Sequence, residues 1–240
     1  MKELECQILS VQAMNHDVYR ILLQAPETAC CYQAGQYILL MLEGGESPAF
    51  SLASSPVNWP QLELHVRVTP GAGLSSVVLE QLQRGGSISL KVAAGDAIWE
   101  APVDGETPII FLAASTGFSQ AKSLIETALE EGCQNPFYLY WGVREAKDLY
   151  WLALAELWAE QHEHVHFIPV ISDGLESDAW TGRTGLVHEA VVADAHDLSA
   201  AQVWACGSPG MVYAALDAFV LEGLHKDQMR SDVFAYAPRD

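Results

Sequence analysis

Small residues between an apolar segment and a helical pattern form the first candidate site. Residues 108–113 are an apolar run of strand length, and a turn of Ala114, Ser115, Thr116 and Gly117 follows. Apolar residues then recur at helical spacing from position 121. A ligand can approach the backbone of such a turn closely, and the helix N-terminus behind it favours a phosphate. An ordinary strand–helix connection explains the pattern equally well, because the full dinucleotide glycine fingerprint is absent.

A second segment, residues 47–56, combines serines and small residues with one aromatic side chain. Its centre is Pro48, Ala49, Phe50, Ser51 and Leu52. A flat ring on such a strand would accept hydrogen bonds from backbone N–H groups and from the Ser51 hydroxyl. A flavin needs this environment, with a donor near its N5 atom and apolar contact on one face. The alternative is a serine-rich edge strand with Phe50 in the core.

A glycine-containing loop leads into another helical pattern at residues 71–76. The N–H groups at the start of this helix would hold a phosphate. Capping of the helix by Ser75 or Ser76 explains the same residues at least as well.

Two later strand ends carry further candidates. Gly142 and Arg144 follow an apolar strand where the adenosine half of a dinucleotide would lie, although a surface ion pair explains Arg144 equally well. Another strand ends in a turn that contains Cys206, Gly207, Pro209 and Met211. No His–Asp pattern adjoins Cys206, so a buried structural thiol is its expected state.

Two aromatic residues close the chain. Phe234 or Tyr236 would place a ring over a ligand in a cleft. A terminal strand with two packed aromatic side chains is the simpler interpretation.

The composition is strongly acidic, with 31 Asp and Glu residues against 12 Lys and Arg and a net charge of −19. Such a surface repels nucleic-acid phosphate and anionic membranes, so we expect neither as a partner. Five cysteines without paired spacing argue against a disulfide scaffold and fit a reducing compartment. With no Cys-x-x-Cys pair and no apolar segment of membrane-spanning length, we expect a cytoplasmic protein without a metal site.

The hydrophobic period changes near residue 104. Up to about residue 100, short segments alternate apolar and polar residues, with one helical segment at 75–83, which predicts a small antiparallel β-barrel. Later, apolar strands alternate with helices, which predicts a parallel sheet covered on both faces. The expected strands are 108–113, 137–141, 165–171 and 203–206, and the expected helices are 120–132, 149–161, 186–193 and 211–223. The predicted domains are 1–103 and 104–240, with ligands in a cleft between them or at the carboxyl edge of the strands.

Each motif is weak alone, but their order along the chain resembles the ferredoxin–NADP reductase superfamily and, within it, the single-chain bacterial NAD(P)H:flavin oxidoreductases. The residues that carry the resemblance are 18–20, 34–37, 50–54, 115–119, 140–142 and Phe234. The resemblance implies a flavin-binding antiparallel β-barrel followed by a Rossmann-like parallel-sheet domain that binds NADH or NADPH. It also implies hydride transfer from the nicotinamide C4 to the flavin N5.

The resemblance assigns roles by position. Ser51 would lie near the flavin N5 as the catalytic group, Thr116 and Gly117 would border the nicotinamide and pyrophosphate, and Arg144 would lie by the adenosine. The full set of implied cofactor-binding residues is Pro48, Ala49, Phe50, Ser51, Leu52, Gly73, Ser75, Ser76, Ser115, Thr116, Gly117, Gly142, Arg144, Cys206, Gly207, Pro209, Met211, Phe234 and Tyr236.

The chain departs from the family pattern at three places, of which the mildest is Ala93, Ala94 and Gly95 where the family has Gly-Pro before the domain boundary. Members usually have an arginine, which pairs with the flavin phosphate, at the position of Pro48. Many also have Gly-Gly-Thr-Gly where this chain has residues 114–117. The missing arginine favours a weakly held flavin that comes and goes as a substrate.

The sequence therefore predicts an NAD(P)H-dependent flavin reductase that uses FAD, FMN or riboflavin. One alternative is a reductase component that passes electrons from NAD(P)H through bound FAD to an electron-acceptor protein. The other alternative is a non-catalytic module that binds flavin or nucleotide.

Overall fold

The computed structural model describes the chain except residues 28, 29, 31, 70, 72, 174–179 and 240. Cys31 and the loop residue Ala72 therefore lie outside the described residues. The chain forms two compact units. The barrel unit consists of Met1–Trp99 and Lys122–Glu131, and the α/β unit consists of Glu100–Ala121 and Gly132–Asp240.

The barrel unit is built on six antiparallel strands. They are β1 (Lys2–Ala13), β2 (Val18–Gln24), β3 (Tyr37–Leu40), β4 (Ala49–Ser51), β5 (Gln61–Arg67) and β6 (Ser87–Ala94), with helix α1 (Leu74–Gln83) between β5 and β6. Their hydrogen-bonded order is β4-β3-β6-β1-β2-β5. A bridge between Leu52 and Leu64 joins the two ends of this sheet, so the sheet forms a nearly closed barrel. The prediction of a small antiparallel barrel is therefore confirmed.

Strict alternation along β5 shows why this sequence forms a barrel wall. Leu62, Leu64 and Val66 are fully buried in the barrel core. Glu63 and His65 alternate with them and therefore point to the opposite face of the strand. Polar groups on that face need partners of their own because they too are buried.

The α/β unit contains a parallel sheet, as the alternation of strands and helices predicts. Its strands are β7 (Ile109–Ala114), β8 (Phe137–Val143), β9 (Val165–Ile171), β10 (Arg183–Thr184), β11 (Gln202–Cys206) and β12 (Met229–Arg230). The associated helices are α2 (Phe118–Glu130), α3 (Leu152–Gln161), α4 (Val187–Ala193), α5 (Pro209–Leu221) and α6 (Val233–Tyr236). Helix α2 begins in this unit, whereas its residues from Lys122 onwards pack with the barrel unit.

The strand order of the parallel sheet is β10-β9-β8-β7-β11-β12. The chain moves outwards in one direction from β7 to β10 and then returns to the other side of β7 with β11. Open α/β sheets bind ligands at the carboxyl ends of the strands where the order reverses in this way. Here that point lies between the ends of β7 and β11.

Two elements begin or fold differently from the sequence prediction. Helix α5 starts at Pro209 because the Ser208 side chain accepts the Met211 N–H at 3.4 Å and proline suits the first helical position. The prediction of a terminal strand around Phe234 and Tyr236 is wrong. These residues form the short helix α6, in which the Ala237 N–H donates to the Val233 carbonyl at 2.9 Å.

Among the described residues, no helix combines the length and the apolar character that a membrane crossing requires.

Candidate functional site

Strand β4 lies at one end of the barrel sheet and pairs only with β3 within the bonded order. The Leu40 N–H donates to the Pro48 carbonyl at 2.9 Å, and the Leu52 N–H donates to the Gln36 carbonyl at 3.0 Å. Bonded positions alternate along an antiparallel pair, so the N–H of Ser51 points away from β3. The strand thus presents a backbone donor and the Ser51 hydroxyl on the side away from β3, next to the bridge between Leu52 and Leu64.

The side chains around Ser51 separate into a packed set and an accessible set. Leu52 is fully buried in the barrel core, and Phe50 is half-buried against it. Ser51 is half-buried and Ala49 is exposed. An edge strand with a backbone donor, a hydroxyl and an adjacent aromatic ring is the donor set that a flavin ring requires, so these residues fit the predicted flavin.

Pro48 belongs to the same edge. Proline has no N–H to donate, which an edge strand tolerates and a central strand does not. Its carbonyl still completes the ladder to Leu40. The side chain that the family resemblance places against a flavin phosphate is therefore uncharged here.

The start of helix α1, after the glycine loop, differs from the expectation that a serine side chain caps it. Gly73 is the N-cap residue, and no side chain caps the helix, so capping by Ser75 or Ser76 is wrong. Helix α1 starts one residue before Ser75, which places both serines inside the first turn. Ser75 Oγ instead accepts the Thr69 N–H at 3.3 Å, and the Ser76 N–H donates to the Gly73 carbonyl at 3.0 Å.

The turn after β7 lies at the point where the strand order reverses. Ser115 has φ +52°, a left-handed conformation that favours glycine. Its carbonyl accepts the Trp141 indole N–H at 3.0 Å, which holds the turn against β8. The family position with glycine is thus occupied by a serine in a glycine-like conformation.

The end of β11 packs directly against this turn. A Cβ atom at Gly117 would overlap the Cys206 carbonyl oxygen, and one at Gly207 would lie 3.2 Å from the Ala114 Cβ. The Met211 side chain also contacts Gly207. The structure therefore brings together two sequence motifs that lie about ninety residues apart, as ligand binding at this strand edge requires.

Cys206 is a buried thiol, as the sequence predicts. Burial raises the pKa of this thiol, with a smaller contribution from the nearby negative charge of Asp232. A thiol held neutral in this way is a poor nucleophile. Any contribution of Cys206 to a ligand would therefore come from its shape and apolar surface.

Gly142 and Arg144 stand at the end of β8. A Cβ atom at Gly142 would lie 2.7 Å from the Val187 Cβ, so close packing of α4 requires glycine here. Arg144 is exposed and forms an ion pair with Asp173, with Nη2 to Oδ2 at 2.7 Å. Solvent screens such an exposed pair, so a phosphate would compete with it at little cost.

The C-terminal aromatic residues differ in burial. Phe234 is half-buried, with its ring centroid 5.8 Å from that of Tyr213. Tyr236 is 60% exposed. Their proposed approach to the flavin stays a prediction.

A buried ionic group in the barrel unit is absent from the sequence prediction. The Glu63 carboxylate accepts hydrogen bonds from Arg20 Nη2 at 2.7 Å and His65 Nε2 at 2.9 Å. Lys122 Nζ lies 3.6 Å from it and donates to the Glu126 carboxylate at 2.7 Å. One feature of the sequence could have indicated this group. Lys122 is a cation at helical spacing with the apolar residues Phe118, Ala121 and Ile125, on the side of the helix that faces the core.

The protonation states in this group follow from burial and neighbours. Burial alone would raise the pKa of Glu63, but the bonds from His65 and Arg20 and the Lys122 charge lower that pKa to about 2. Burial lowers the pKa of His65, against the opposing effect of Glu63. At neutral pH, Glu63 is charged and His65 is neutral, with its Nε2 proton donated to Glu63.

Sequence comparison assigns both units to known domains. The profile of the oxidoreductase FAD-binding domain matches residues 5–99, and that of the oxidoreductase NAD-binding domain matches residues 111–217. These matches confirm the predicted flavin and nicotinamide-nucleotide cofactors and their order along the chain.

Full-length relatives extend this assignment. The NAD(P)H-flavin reductase of Aliivibrio fischeri is 33% identical over 239 residues, which cover 97% of this chain and 99% of that protein. The CDP-6-deoxy-L-threo-D-glycero-4-hexulose-3-dehydrase reductase of Yersinia pestis is 33% identical over 97% of this chain and 69% of its own length. The crystal structure of the Amycolatopsis cytochrome P450 reductase GcoB has a TM-score of 0.87 at 30% identity, over 96% of this chain and 69% of that one. This protein is therefore an oxidoreductase of the ferredoxin reductase family, with an FAD-binding barrel followed by an NAD-binding domain.

Proposed function

We propose that this protein is an NAD(P)H-dependent flavin reductase in which a flavin bound along β4 accepts a hydride. The balanced reaction is NAD(P)H plus a proton plus oxidised flavin, giving NAD(P)⁺ and fully reduced flavin. Bound nicotinamide nucleotide and flavin would supply the chemistry, with a hydride passing from the nicotinamide C4 to the flavin N5. The protein contributes orientation and exclusion of water.

The observation that carries this proposal is the side of β4 that faces away from β3. The Ser51 N–H faces away from the ladder and its hydroxyl lies on the same short strand. We assign Ser51 the hydrogen bond to the region of N5 and the half-buried Phe50 an apolar contact with the ring. No covalent bond to Ser51 is involved.

The nicotinamide nucleotide is assigned to the turn at residues 115–117 and the facing end of β11. Close packing of Gly117 against Cys206 makes this strand edge a preformed surface. The backbone N–H groups of Thr116 and Gly117, in the first turn of the 3₁₀ segment, are assigned to the pyrophosphate.

The direct test is steady-state oxidation of NADH and NADPH by purified protein with added FMN, FAD or riboflavin. We expect turnover above the uncatalysed rate, and we expect Ser51→Ala to lower kcat by about tenfold or more through loss of a positioned donor. Thermal stabilisation by flavin without any turnover would instead identify a non-catalytic binding module.

A second candidate function follows from the relatives that are named as reductases of a dehydrase and of a cytochrome P450. As such a reductase component, this protein would retain its flavin during purification and pass electrons to a protein acceptor. The absorption spectrum before and after addition of flavin distinguishes the two, because a flavin reductase with a dissociable flavin is colourless as purified.

A further inference from the structure

Residues 53–55, which we call the serine segment, continue directly from Ser51 and Leu52. Their backbone carbonyls accept hydrogen bonds from side chains. Lys122 Nζ donates to Ala53 at 3.2 Å, and Ser123 Oγ donates to Ser54 at 2.7 Å. Tyr32 Oη donates to Ser55 at 2.8 Å. Two of these three donors come from helix α2.

Lys122 is the charged member of this set and is only 5% exposed. Burial of an ammonium group is costly unless carboxylates and hydrogen bonds surround it. Glu126 lies 2.7 Å and Glu63 lies 3.6 Å from Nζ. The Ala53 carbonyl is a further contact, and a charged donor makes it stronger than a neutral hydrogen bond.

Glu63 connects to the same segment through its backbone as well as its charge. Its carbonyl accepts the Ala53 N–H at 2.8 Å, and its N–H donates to Ser54 Oγ at 3.2 Å. The residue whose carboxylate lies near Lys122 is therefore also hydrogen-bonded to the backbone that Lys122 contacts. Lys122, Glu63 and Ala53 thus form a connected network, because each of the three interacts with the other two.

The position of strand β4 depends on this network of contacts, because the strand is only three residues long and lies at the sheet edge. A ladder of this length determines position weakly, since few bonds hold it and edge strands open most readily. The segment on its carboxyl side is held by side chains from α2, and these contacts limit the motion of Ser51 and Leu52.

We propose that Lys122 is a positioning residue for flavin binding, which holds the Ala53 carbonyl and thereby fixes the flavin-facing edge of β4. This inference rests on the proposed function of β4. Lys122 is assigned no contact with the flavin and no part in hydride transfer. Its loss should weaken flavin binding and leave recognition of the nicotinamide nucleotide intact.

The test compares Glu126→Gln with the double variant Lys122→Met/Glu126→Gln. The double variant removes the ammonium together with its nearest carboxylate, so that less uncompensated charge remains buried. Glu126→Gln alone keeps Lys122 and Ala53 in contact and serves as the matched control. Leu4→Ala, in the barrel core on β1, is the control for lost stability.

The measured quantities are the Kd for FMN, from quenching of flavin fluorescence without nucleotide, the KM for NADH and the unfolding temperature. We expect the double variant to raise the Kd for FMN about tenfold or more relative to Glu126→Gln. The KM for NADH should stay within about twofold of native. Leu4→Ala should lose stability without a comparable change in the Kd for FMN.

A folded double variant with the Kd of Glu126→Gln would overturn the inference. Lys122→Arg covers the case in which the double variant does not fold, because it preserves the buried charge but replaces a compact ammonium with a planar fork. We expect weaker FMN binding at nearly native stability, and a native Kd in this variant would also overturn the inference. The native protein is measured first, so that failure of the proposed function can be distinguished from failure of the inference about Lys122. If native protein neither binds nor reduces FMN, the proposed function itself is wrong.

Discussion

Gly117 packs directly against the backbone of Cys206, so that any side chain at position 117 would overlap the Cys206 carbonyl oxygen. The contact joins the end of β7 to the end of β11, where the strand order of the parallel sheet reverses. A backbone carbonyl cannot rotate away as a flexible side chain can. The glycine is therefore required by packing, independently of any ligand.

Gly117→Ala should destabilise the protein by about 2 kcal/mol or more, because the turn and β11 must separate to admit a methyl group. Urea denaturation measures this loss. Gly105→Ala is the control, since a Cβ atom at Gly105 meets no other atom within 4 Å. Equal stability of the two variants would contradict the packing described here.

Ser115 should respond in opposite directions to two substitutions. Its φ of +52° is unfavourable for a residue with a Cβ atom and most unfavourable for a β-branched one. We expect Ser115→Gly to be neutral or stabilising and Ser115→Val to be less stable than Ser115→Gly by about 2 kcal/mol. The Trp141 bond to the Ser115 carbonyl involves only backbone of residue 115 and is available in both variants. Equal unfolding temperatures for the two variants would show that the turn relaxes.

Pro48→Arg should restore a cation at the position where the family resemblance places a flavin-phosphate contact. A charge-assisted contact contributes about 1.5–3 kcal/mol, so the affinity for FMN should rise by roughly ten- to a hundredfold. Riboflavin is the matched control ligand because it has no phosphate, and its affinity should not change. A parallel gain for riboflavin would show that the arginine acts on the ring or on the strand rather than on the phosphate.

Glu63 should make the barrel unit sensitive to acid. Its pKa in the folded protein is about 2, below the ordinary value of 4.5. A lowered pKa stabilises the folded state above pH 4.5, and this stabilisation is lost as the pH falls from about 5 towards 2. The shift corresponds to about 3 kcal/mol at neutral pH.

Glu63→Gln should therefore be much less stable than native protein at pH 7, and the difference should shrink at pH 3. Chemical denaturation at the two pH values gives this comparison. Glu27→Gln is the control at an exposed carboxyl, for which the difference should stay small at both values. A gap between Glu63→Gln and native that does not depend on pH would show that the loss comes from packing rather than from charge.

The order of elements was predictable because it depends on local periodicity. The change from a period of two to alternating strands and helices near residue 104 predicts both architectures. The strand at 165–171 coincides with β9 at both ends. The terminal strand around Phe234 was mispredicted because aromatic residues pack equally well in a short helix, and only the backbone bonds of α6 decide between them.

The elements that carry the candidate site were predictable where a motif is local and unpredictable where they depend on distant residues. The serine-containing strand and the turn at Ser115 were identified from adjacent residues. The buried group of Arg20, Glu63, His65 and Lys122 was missed because its members come from β2, β5 and α2. Contacts between residues so far apart in the chain cannot be predicted from a local sequence pattern.

The sequence by itself determined the strongly acidic charge, the succession of strands and helices, and the small-residue turns, because each depends on residue type or on near neighbours. The tertiary structure alone decided that Gly117 meets Cys206 and that Lys122 reaches the Ala53 carbonyl, 69 residues away along the chain. The physical reason is that long-range contacts are selected by the packing of whole elements and by the need to pair every buried charge.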